Sequence, residues 1–591
     1  MNIVPRGMTV TEAYRLYRSG NLLVNRKYQR KLVWTEIEKQ RLIGSILKGY
    51  PIPLILLAER PKVHGSGKYE IIDGMQRLNA ILGFIENLFS FDNKYFNLSE
   101  FSYANQLANA EIIAFNKEIS KLSPQECAEI LDYQLAVTIY TAMEEDDITE
   151  VFGRINSSGK HLSNQDKRQA GVTTAFAEVV RKIAIELRGD VSPDILNLYE
   201  MPEISINSGK SNQGYGVPAE DTLWCKQGIL SAPKLRDSED EDMIADLAAS
   251  ILLHEPLKRN QEHLNNLYDL NTKQCKEIEA SLAVYTSDRL QQDIIKTFST
   301  LQETIELYSQ EYKCLLHIVN PRGTNPIPQA FYTIFMAFFD LIINQELTPC
   351  DPTEIMQSLK NLQNTLNIAR RHTKVSDRKK NINKTKGLIQ DYFLKQEPSA
   401  LGSGSELAIA FKNSLLRSRM ETSRYECKQG LLNLSKNRSL NKKLIEQIIK
   451  TICGIANVGP ESDGYIHIGV ADCLKDSDRI KSLDEIHPIE INKRYVVGID
   501  REAKIQNKKI EDYVKILTNA ILNSNLSKPL KNDVLAKFDT ISYKGYSVVR
   551  ITIPPQADVS FVGDIAFTRK DSSTVKVEGA ELIAVSRRFQ K

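Results

Sequence analysis

Short apolar runs separated by polar islands open the chain, and their spacing alternates between helical and extended. Thr9 to Gly20 (TVTEAYRLYRSG) and Lys39 to Gly49 (KQRLIGSILKG) carry apolar residues at helical spacing, and each stops at a glycine. Pro51 to Glu59 (PIPLILLAE) reads as extended, because two prolines bar a helix interior and an apolar run follows at once. Tyr69 to Ile72 reads as a short strand. The helix predicted after it places Leu78, Ile81, Leu82 and Ile85 on one face. The pattern up to about residue 170 predicts a small mixed α/β region.

From about 172 to 395 the spacing is mostly helical, as in Glu241–Leu253, Ser287–Tyr312 and Asp351–His372. Residues 370–386 (RRHTKVSDRKKNINKTK) are dense in Lys and Arg with a single acid. Such a run reads as a solvated face, or as a track for a phosphate backbone. Phe331–Ile343 is apolar but short and contains Asp340, so it reads as a buried core helix. Pro398–Glu406 (PSALGSGSE) has linker composition. Beyond it an amphipathic helix is predicted over Lys442–Asn457, with Leu444, Ile448, Ile449, Ile452 and Ile455 toward a core. Four strand-like runs follow: YIHIGVAD, RYVVGID, YSVVRITI and AFTRKDSSTVKV.

The totals narrow the class. A chain of 591 residues suggests about three or four domains at roughly 150 residues each. A formal net charge of +3, from 77 Lys+Arg against 74 Asp+Glu, excludes a globally basic nucleic-acid binder, so any such surface is a local patch. The eight cysteines form no C-x-x-C pair and read as reduced thiols of a cytoplasmic protein. No signal-peptide core and no membrane span is expected.

Three polar islands in the first region carry candidate chemistry: Tyr28 to Trp34, Asp73 to Arg77, and Phe152 to Gly159. Asp73-Gly74 lies at a strand-to-helix turn, where free N–H groups and the dipole suit an anion. Ordinary capping with a surface arginine is the competing reading. Asn156-Ser157-Ser158-Gly159 is a backbone-nest candidate for phosphate. The ordered set YQR-x-x-VW, PIP, IDG-x-QR and FxRINSSG-x-x-LS resembles the ParB-like N-terminal domain of GmrSD-type restriction proteins, over roughly residues 8–170. The resemblance implies a ParB/sulfiredoxin-like fold that binds and often hydrolyses a nucleoside triphosphate. Arg30 and Arg77 would neutralise phosphates, and Asp73 would hold a metal or orient water. Gln76 would position the nucleophile, with Gly74 and Asn156 in support. Met75 stands where the family's Asp-Gly-Gln-Gln-Arg hallmark has its first glutamine. A thioether cannot donate a hydrogen bond, so binding is expected to outlast hydrolysis. No HNH-type nuclease motif is present.

The second constellation is Glu421, Glu426 and Lys428, with Asp472 ending YIHIGVAD. If the stretch around Glu426 is extended, Glu426 and Lys428 share a face. Carboxylates and a lysine at element ends can hold a divalent cation and activate water against a phosphodiester; solvated surface charges are the alternative. E-x4-E-C-K, the helix ending GIAN, DGYIHIGVAD, VVGID and TRKDSSTV together resemble the Schlafen AlbA-like domain over about 405–585. Cys427 replaces the usual aromatic. The resemblance implies nucleic-acid binding and, as in some Schlafen proteins, a three-carboxylate nuclease site. Glu421, Glu426 and Asp472 match its metal-binding carboxylates, with Lys428 beside them.

The expected architecture is therefore α+β and multidomain. It comprises a ParB-like nucleotide-binding α/β domain (1–171), a helical domain (172–397), a linker (398–406) and an α/β Schlafen AlbA-like domain (407–591). The expected function is that of a nucleotide-regulated endonuclease of a bacterial anti-phage or modification-dependent restriction system, using Mg2+ or Mn2+ on foreign DNA. The alternatives are a non-catalytic nucleic-acid-binding regulator with a nucleotide switch, and a Schlafen-like RNase. Homo-oligomerisation is left open.

Overall fold

The computed structural model describes residues 3–26, 31–60, 68–109, 120–141, 174–190, 195–207, 217–258, 260–367, 374–395, 410–415, 423–460, 463–491, 493–570 and 572–589, with the single positions Ser163, Gln165, Arg168 and Ser418. Helix and sheet are mixed throughout, an α+β arrangement. The chain forms two compact units, Met1–Gln396 and Glu397–Lys591.

The first unit is built on a six-stranded sheet. Its strands are β1 (Ile3–Thr9), β2 (Leu22–Asn25), β3 (Ile55–Glu59), β4 (Tyr69–Asp73), β5 (Gln134–Thr141) and β6 (Ile195–Asn197), in the order β1-β5-β3-β4-β2-β6. Pairings β3–β5 and β2–β4 are parallel, and the others are antiparallel. Helices α1 (Val10–Arg18) and α2 (Glu36–Leu47) start at Thr9 and Thr35, each accepting a hydrogen bond from the N–H three residues on. Thr35 and Glu38 complete a capping box. Helix α3 (Met75–Ile85) differs from the one-faced helix predicted. Asn79, Ala80, Gly83 and Phe84 are buried along with Leu78, Ile81, Leu82 and Ile85, so it runs through the core rather than along its surface.

The sheet does not stop at residue 171, because β6 pairs Leu23 with Asn197 and Asn25 with Ile195. Buried cations tie the two parts further. Arg26 donates to the Asp190 carbonyl at 2.7 Å and its carboxylate at 3.1 Å, and Lys31 Nζ donates to Leu235 O at 3.1 Å and Ser238 Oγ at 3.0 Å. A buried charge without such partners would be strongly unfavourable, so these contacts fix the helical part against the sheet.

The helical part packs Glu239–Leu252, Ser287–Tyr308 and Pro328–Phe339 around Trp224, Phe298, Phe331 and Phe335. The Phe298 and Phe335 rings lie 4.6 Å apart. The Phe331–Ile343 stretch is a core helix ending in a π turn at Asp340–Asn344, and among the described residues no helix is long and apolar enough to cross a membrane. The predicted long helix over Asp351–His372 is broken into Pro352–Ser358 and Leu362–Thr365, because Asn361 takes φ +60°. The basic run lies largely on helix Val375–Ile389. There Arg378 turns inward, paired with Asp246 at 2.6 Å and lying 3.5 Å over the Tyr332 ring. Lys379 pairs with Glu255 and Lys386 with Asp340, so three of its cations are engaged within the unit rather than free for a phosphate backbone. Two short pairs complete the unit: β7 (Ile206–Asn207) with β8 (Val217–Pro218), and β9 (Thr348–Pro349) with β10 (Phe393–Leu394).

The second unit holds β11 (Tyr425–Lys428), β12 (Gly464–Ile468), β16 (Phe538–Tyr543) and β17 (Tyr546–Ile553), ordered β11-β12-β17-β16 with β11 and β12 parallel. A second sheet orders β13 (Val470–Ala471), β15 (Arg494–Val496) and β14 (Ile489–Ile491). A third joins β18 (Phe561–Val562), β19 (Ile565–Lys570) and β20 (Ser573–Val577). Helix Lys442–Ala456 packs Ile445, Ile448, Ile452 and Ile455 into a core with Ile466, Ile468 and Ile551. Leu444 lies at that core's edge. Phe411 and Leu415, on the helical stretch 410–415, pack into a separate core with Cys427, Val470 and Ile541. At the end of Lys442–Ala456, buried Asn457 donates to Ser560 O and Phe567 O, each at 2.8 Å, and accepts from Ser560 N–H at 2.8 Å. The GIAN asparagine is thus the staple between this helix and the β18–β19 hairpin.

Candidate functional sites

In the first unit the Asp73-to-Arg77 turn is stitched to itself. Gly74 takes φ +100°, and a Cβ there would sit 3.0 Å from Ile55 Cγ1, so the position demands glycine for conformation and for space. Asp73 Oδ1 accepts the Gly74 N–H at 2.7 Å. Its Oδ2 accepts from Arg77 Nη2 at 2.8 Å, and that nitrogen also reaches Leu54 O at 3.1 Å. The Asp73 side chain is 44 % exposed and that of Arg77 12 %. Gln76 points elsewhere: its amide donates to Lys31 O at 2.8 Å and its carbonyl accepts from Val33 N–H at 3.1 Å and Trp34 N–H at 3.3 Å. Both ends of the side chain are therefore clamped on the backbone of 31–34. Met75 is buried, so the thioether serves packing there. No side chain caps α3, and its first turn holds no acid. Arg30 and Asn156 lie outside the described residues.

In the second unit the alternation along β11 buries Tyr425 and Cys427 and leaves Glu426 and Lys428 together on the other face. Lys428 Nζ meets Glu426 Oε1 at 2.6 Å, and Arg569 of β19 meets Oε2 at 2.9 Å. Arg569 is nearly sealed, with further donations to Thr574 Oγ1 at 2.9 Å and Tyr425 O at 3.3 Å. Beyond β11 the chain is held by the buried Glu502 carboxylate, which accepts from Leu431 N–H at 2.7 Å and Leu432 N–H at 3.0 Å. Gly430 is required there, since a Cβ would collide with that carboxylate.

Asp472 follows β13. The antiparallel register with β15 pairs Val470 with Val496 and Ala471 with Tyr495, and one further step brings Asp472 opposite Arg494. The two form an ion pair, and Arg494 Nε donates to Ser418 Oγ at 3.3 Å. Burial pushes the Asp472 carboxyl above its usual range; Arg494 and then Lys428 pull it back, while Glu426 adds to the rise. Gly469 N–H donates to Lys428 O at 2.8 Å, so β13 starts beside the end of β11, and the Glu426–Lys428 and Asp472–Arg494 pairs share one electrostatic neighbourhood. Burial, reinforced by Asp472, pushes the Cys427 thiol far up, which makes it an inert core group rather than a nucleophile. Nearby His467 is fully buried and pushed down to about 3, by burial first and then by Arg550 and Arg494.

Three of the four carboxylate-site residues read from sequence, Glu426, Lys428 and Asp472, thus come together. Glu421 lies outside the described residues, among which no group of three or more His, Cys, Asp or Glu could hold a metal. Sequence reasoning missed Arg494. Its signal was available in pairing YIHIGVAD with RYVVGID as antiparallel strands, which brings Asp472 and Arg494 opposite each other.

Residues 10–173 match the family model of the GmrSD restriction endonuclease N-terminal domain. Residues 421–578 match the model of the Schlafen, AlbA_2 domain. The chain thus joins two regions, each similar to one of these domain types. The GmrSD match ends within the first unit, before β6, and the Schlafen match spans β11 to β20 and the helices between them. No curated protein and no solved structure matches the chain.

Proposed function

We propose that the protein is a nucleotide-regulated, metal-dependent nuclease of a bacterial anti-phage or restriction system, cutting phosphodiester bonds of foreign DNA in its second unit. The observation that carries this reading is the convergence of Glu426, Lys428 and Asp472 on one cluster, within a Schlafen-type domain fused to a GmrSD-type one. The donor set is oxygen only and Asp472 is 42 % exposed, which suits Mg2+ or Mn2+ held by one or two carboxylates together with substrate phosphate. Glu426 and Asp472 would hold the ion, with Glu421 as the third carboxylate that the resemblance implies. When bound, the ion supplies a Lewis acid and lowers the pKa of a coordinated water. Lys428 and Arg569 fix the Glu426 carboxylate.

In the first unit a ParB/sulfiredoxin-like fold would place a nucleoside triphosphate at the Asp73 turn. The uncapped start of α3 and Arg77 offer N–H groups and positive charge to its phosphates. Because Gln76 is committed to 31–34, it would act on that nucleotide by fixing this segment, and turnover would be slow.

A second reading, a non-catalytic nucleic-acid regulator, is favoured by one feature. Three cations, Lys428, Arg494 and Arg569, face the two described carboxylates, an excess that suits phosphate binding without metal. Incubating the protein with plasmid DNA and with RNA, with and without Mg2+, Mn2+ and each nucleoside triphosphate, separates the readings. Cleavage abolished by Glu426→Ala supports the nuclease. Cleavage that survives it refutes the site, and cleavage of RNA alone assigns an RNase. Nucleotide turnover unchanged in Asp73→Ala would remove the first-unit assignment.

A further inference from the structure

Arg494 belongs to none of the motifs by which either domain is recognised, yet the β13–β15 register delivers it to the carboxylate cluster. Its guanidinium is held at two points, with Nη1 on Asp472 and Nε on Ser418 Oγ at 3.3 Å. Nη2 has no hydrogen-bond partner among the described residues. The side chain is 20 % exposed and its Asp472 partner 42 %, so the pair opens to solvent on one side. The neighbouring cations differ: Arg569 is 1 % exposed, its donors turned to Glu426, Thr574 and the Tyr425 carbonyl, while Lys428 is 25 % exposed and sets its ammonium on Glu426 at 2.6 Å. Arg494 is therefore the guanidinium of the cluster that is oriented in advance and still has a donor to give; Lys428 also keeps N–H donors, but on a compact point charge without a planar fork.

A guanidinium fixed in this way loses little rotamer freedom when a phosphate arrives, and its planar fork matches two phosphate oxygens. We propose that Arg494 is a substrate-contacting residue, its open edge gripping the non-bridging oxygens of a phosphodiester seated beside Asp472 and Lys428. This rests on the reading of the second unit as a phosphodiester site.

The test uses the full-length protein, fluorescein-labelled DNA and RNA oligonucleotides, and binding measured against NaCl concentration, for wild type, Arg494→Ala and Arg494→Lys. Cleavage kcat and KM are measured in parallel with Mg2+ and Mn2+. Arg494→Ala should weaken binding about tenfold and flatten the log–log salt slope by about one unit, the signature of one lost phosphate contact. Arg494→Lys should keep the slope, because the charge remains, but lower kcat more than it changes KM, because the fork is lost. Unchanged salt slope and unchanged kcat in Arg494→Ala overturn the proposal. Wild type that neither binds nor cleaves either nucleic acid removes the phosphodiester reading itself. Wild type that binds without cleaving leaves the salt slope to decide Arg494 alone. Should Arg494→Ala lose amide protection along β12, the kcat of Arg494→Lys decides: a fall supports the contact and parity with wild type refutes it.

Discussion

Buried His467 should make the stability of the second unit depend on pH. It sits in β12 with its ring fully buried, 5.2 Å from the Phe411 ring, and its Nε2 lies 2.5 Å from Ser414 Oγ. Nδ1 is buried with no partner among the described residues, so an added proton there would have no acceptor. The charged groups facing it, Arg550 opposite in β17 and Arg494, are cations that oppose protonation; Arg550 is itself held by Asp539 at 2.7 Å. Burial first, and then these two cations, hold the imidazole down at about 3 from an ordinary 6.5. A depressed pKa means that the unfolded chain takes the proton first. The contribution is fully present above 6.5 and is lost progressively as pH falls from 6.5 toward 3. One pH unit below the unfolded value costs about 1.4 kcal/mol, so lowering the pH from about 7.5 to about 5.5 should remove about that much. Both tryptophans, Trp34 and Trp224, lie in the first unit, so their emission does not report on this transition. The assay is native-state hydrogen exchange of β12 peptides against urea in the full-length chain, for wild type and His467→Gln, an amide that does not titrate. The variant starts less stable at the higher pH, but its loss between the two pH values should be smaller than wild type's by about 1.4 kcal/mol. Subtracting the two cancels every other titrating group, Asp472 included. Parallel pH profiles would refute a buried neutral His467.

Gln76→Leu removes three hydrogen bonds to the backbone of 31–34 and should destabilise the first unit by about 1–3 kcal/mol, read by Trp34 emission along a denaturant titration; an unchanged midpoint would mean that the clamp contributes nothing. Gly74→Ala forces a Cβ into φ +100° against Ile55 and should cost about 1–3 kcal/mol in the same assay. Arg378→Met strips a buried partner from Asp246 and should cost about 3–5 kcal/mol, whereas Lys380→Ala on the exposed side of the same helix should stay within about 0.5 kcal/mol. Equal effects would reverse the account of the basic run. Chelation of divalent metal should abolish cleavage while leaving nucleic-acid binding measurable, because three cations already face two carboxylates; binding lost together with cleavage would place the affinity in the metal instead.

What the sequence made legible follows from the range of the interactions concerned. Local signals survived: the two helices expected over Thr9–Gly20 and Lys39–Gly49, the prolines before β3, the turn at Gly74, and the alternation that sets Glu426 and Lys428 on one face all depend on neighbours within a few residues. Long-range partners were hidden. A charge run such as 370–386 reads as solvated unless Asp246 is known to lie beneath Arg378, at a separation of 132 residues. Likewise α3 reads as one-faced, because only the packing of a core against both its sides tells an interior helix from a surface one. The boundary at 171 lies close to the end of the family match at 173, but the packing across it was hidden for the same reason: β6 completes the sheet from 24 residues beyond it, and the buried charges of Arg26 and Lys31 find partners in the helical part. The hallmark glutamine is the sharpest case. A short polar motif at a strand end invites a catalytic role for each of its members. In this turn Asp73 and Arg77 bind each other and Gln76 serves a backbone 42 to 45 residues away, so much of the motif's polarity goes into building the turn. The carboxylate cluster reverses that balance. Its strand positions were readable, but the cation with an open edge enters from a partner strand, and strand register rather than motif is what exposes Arg494.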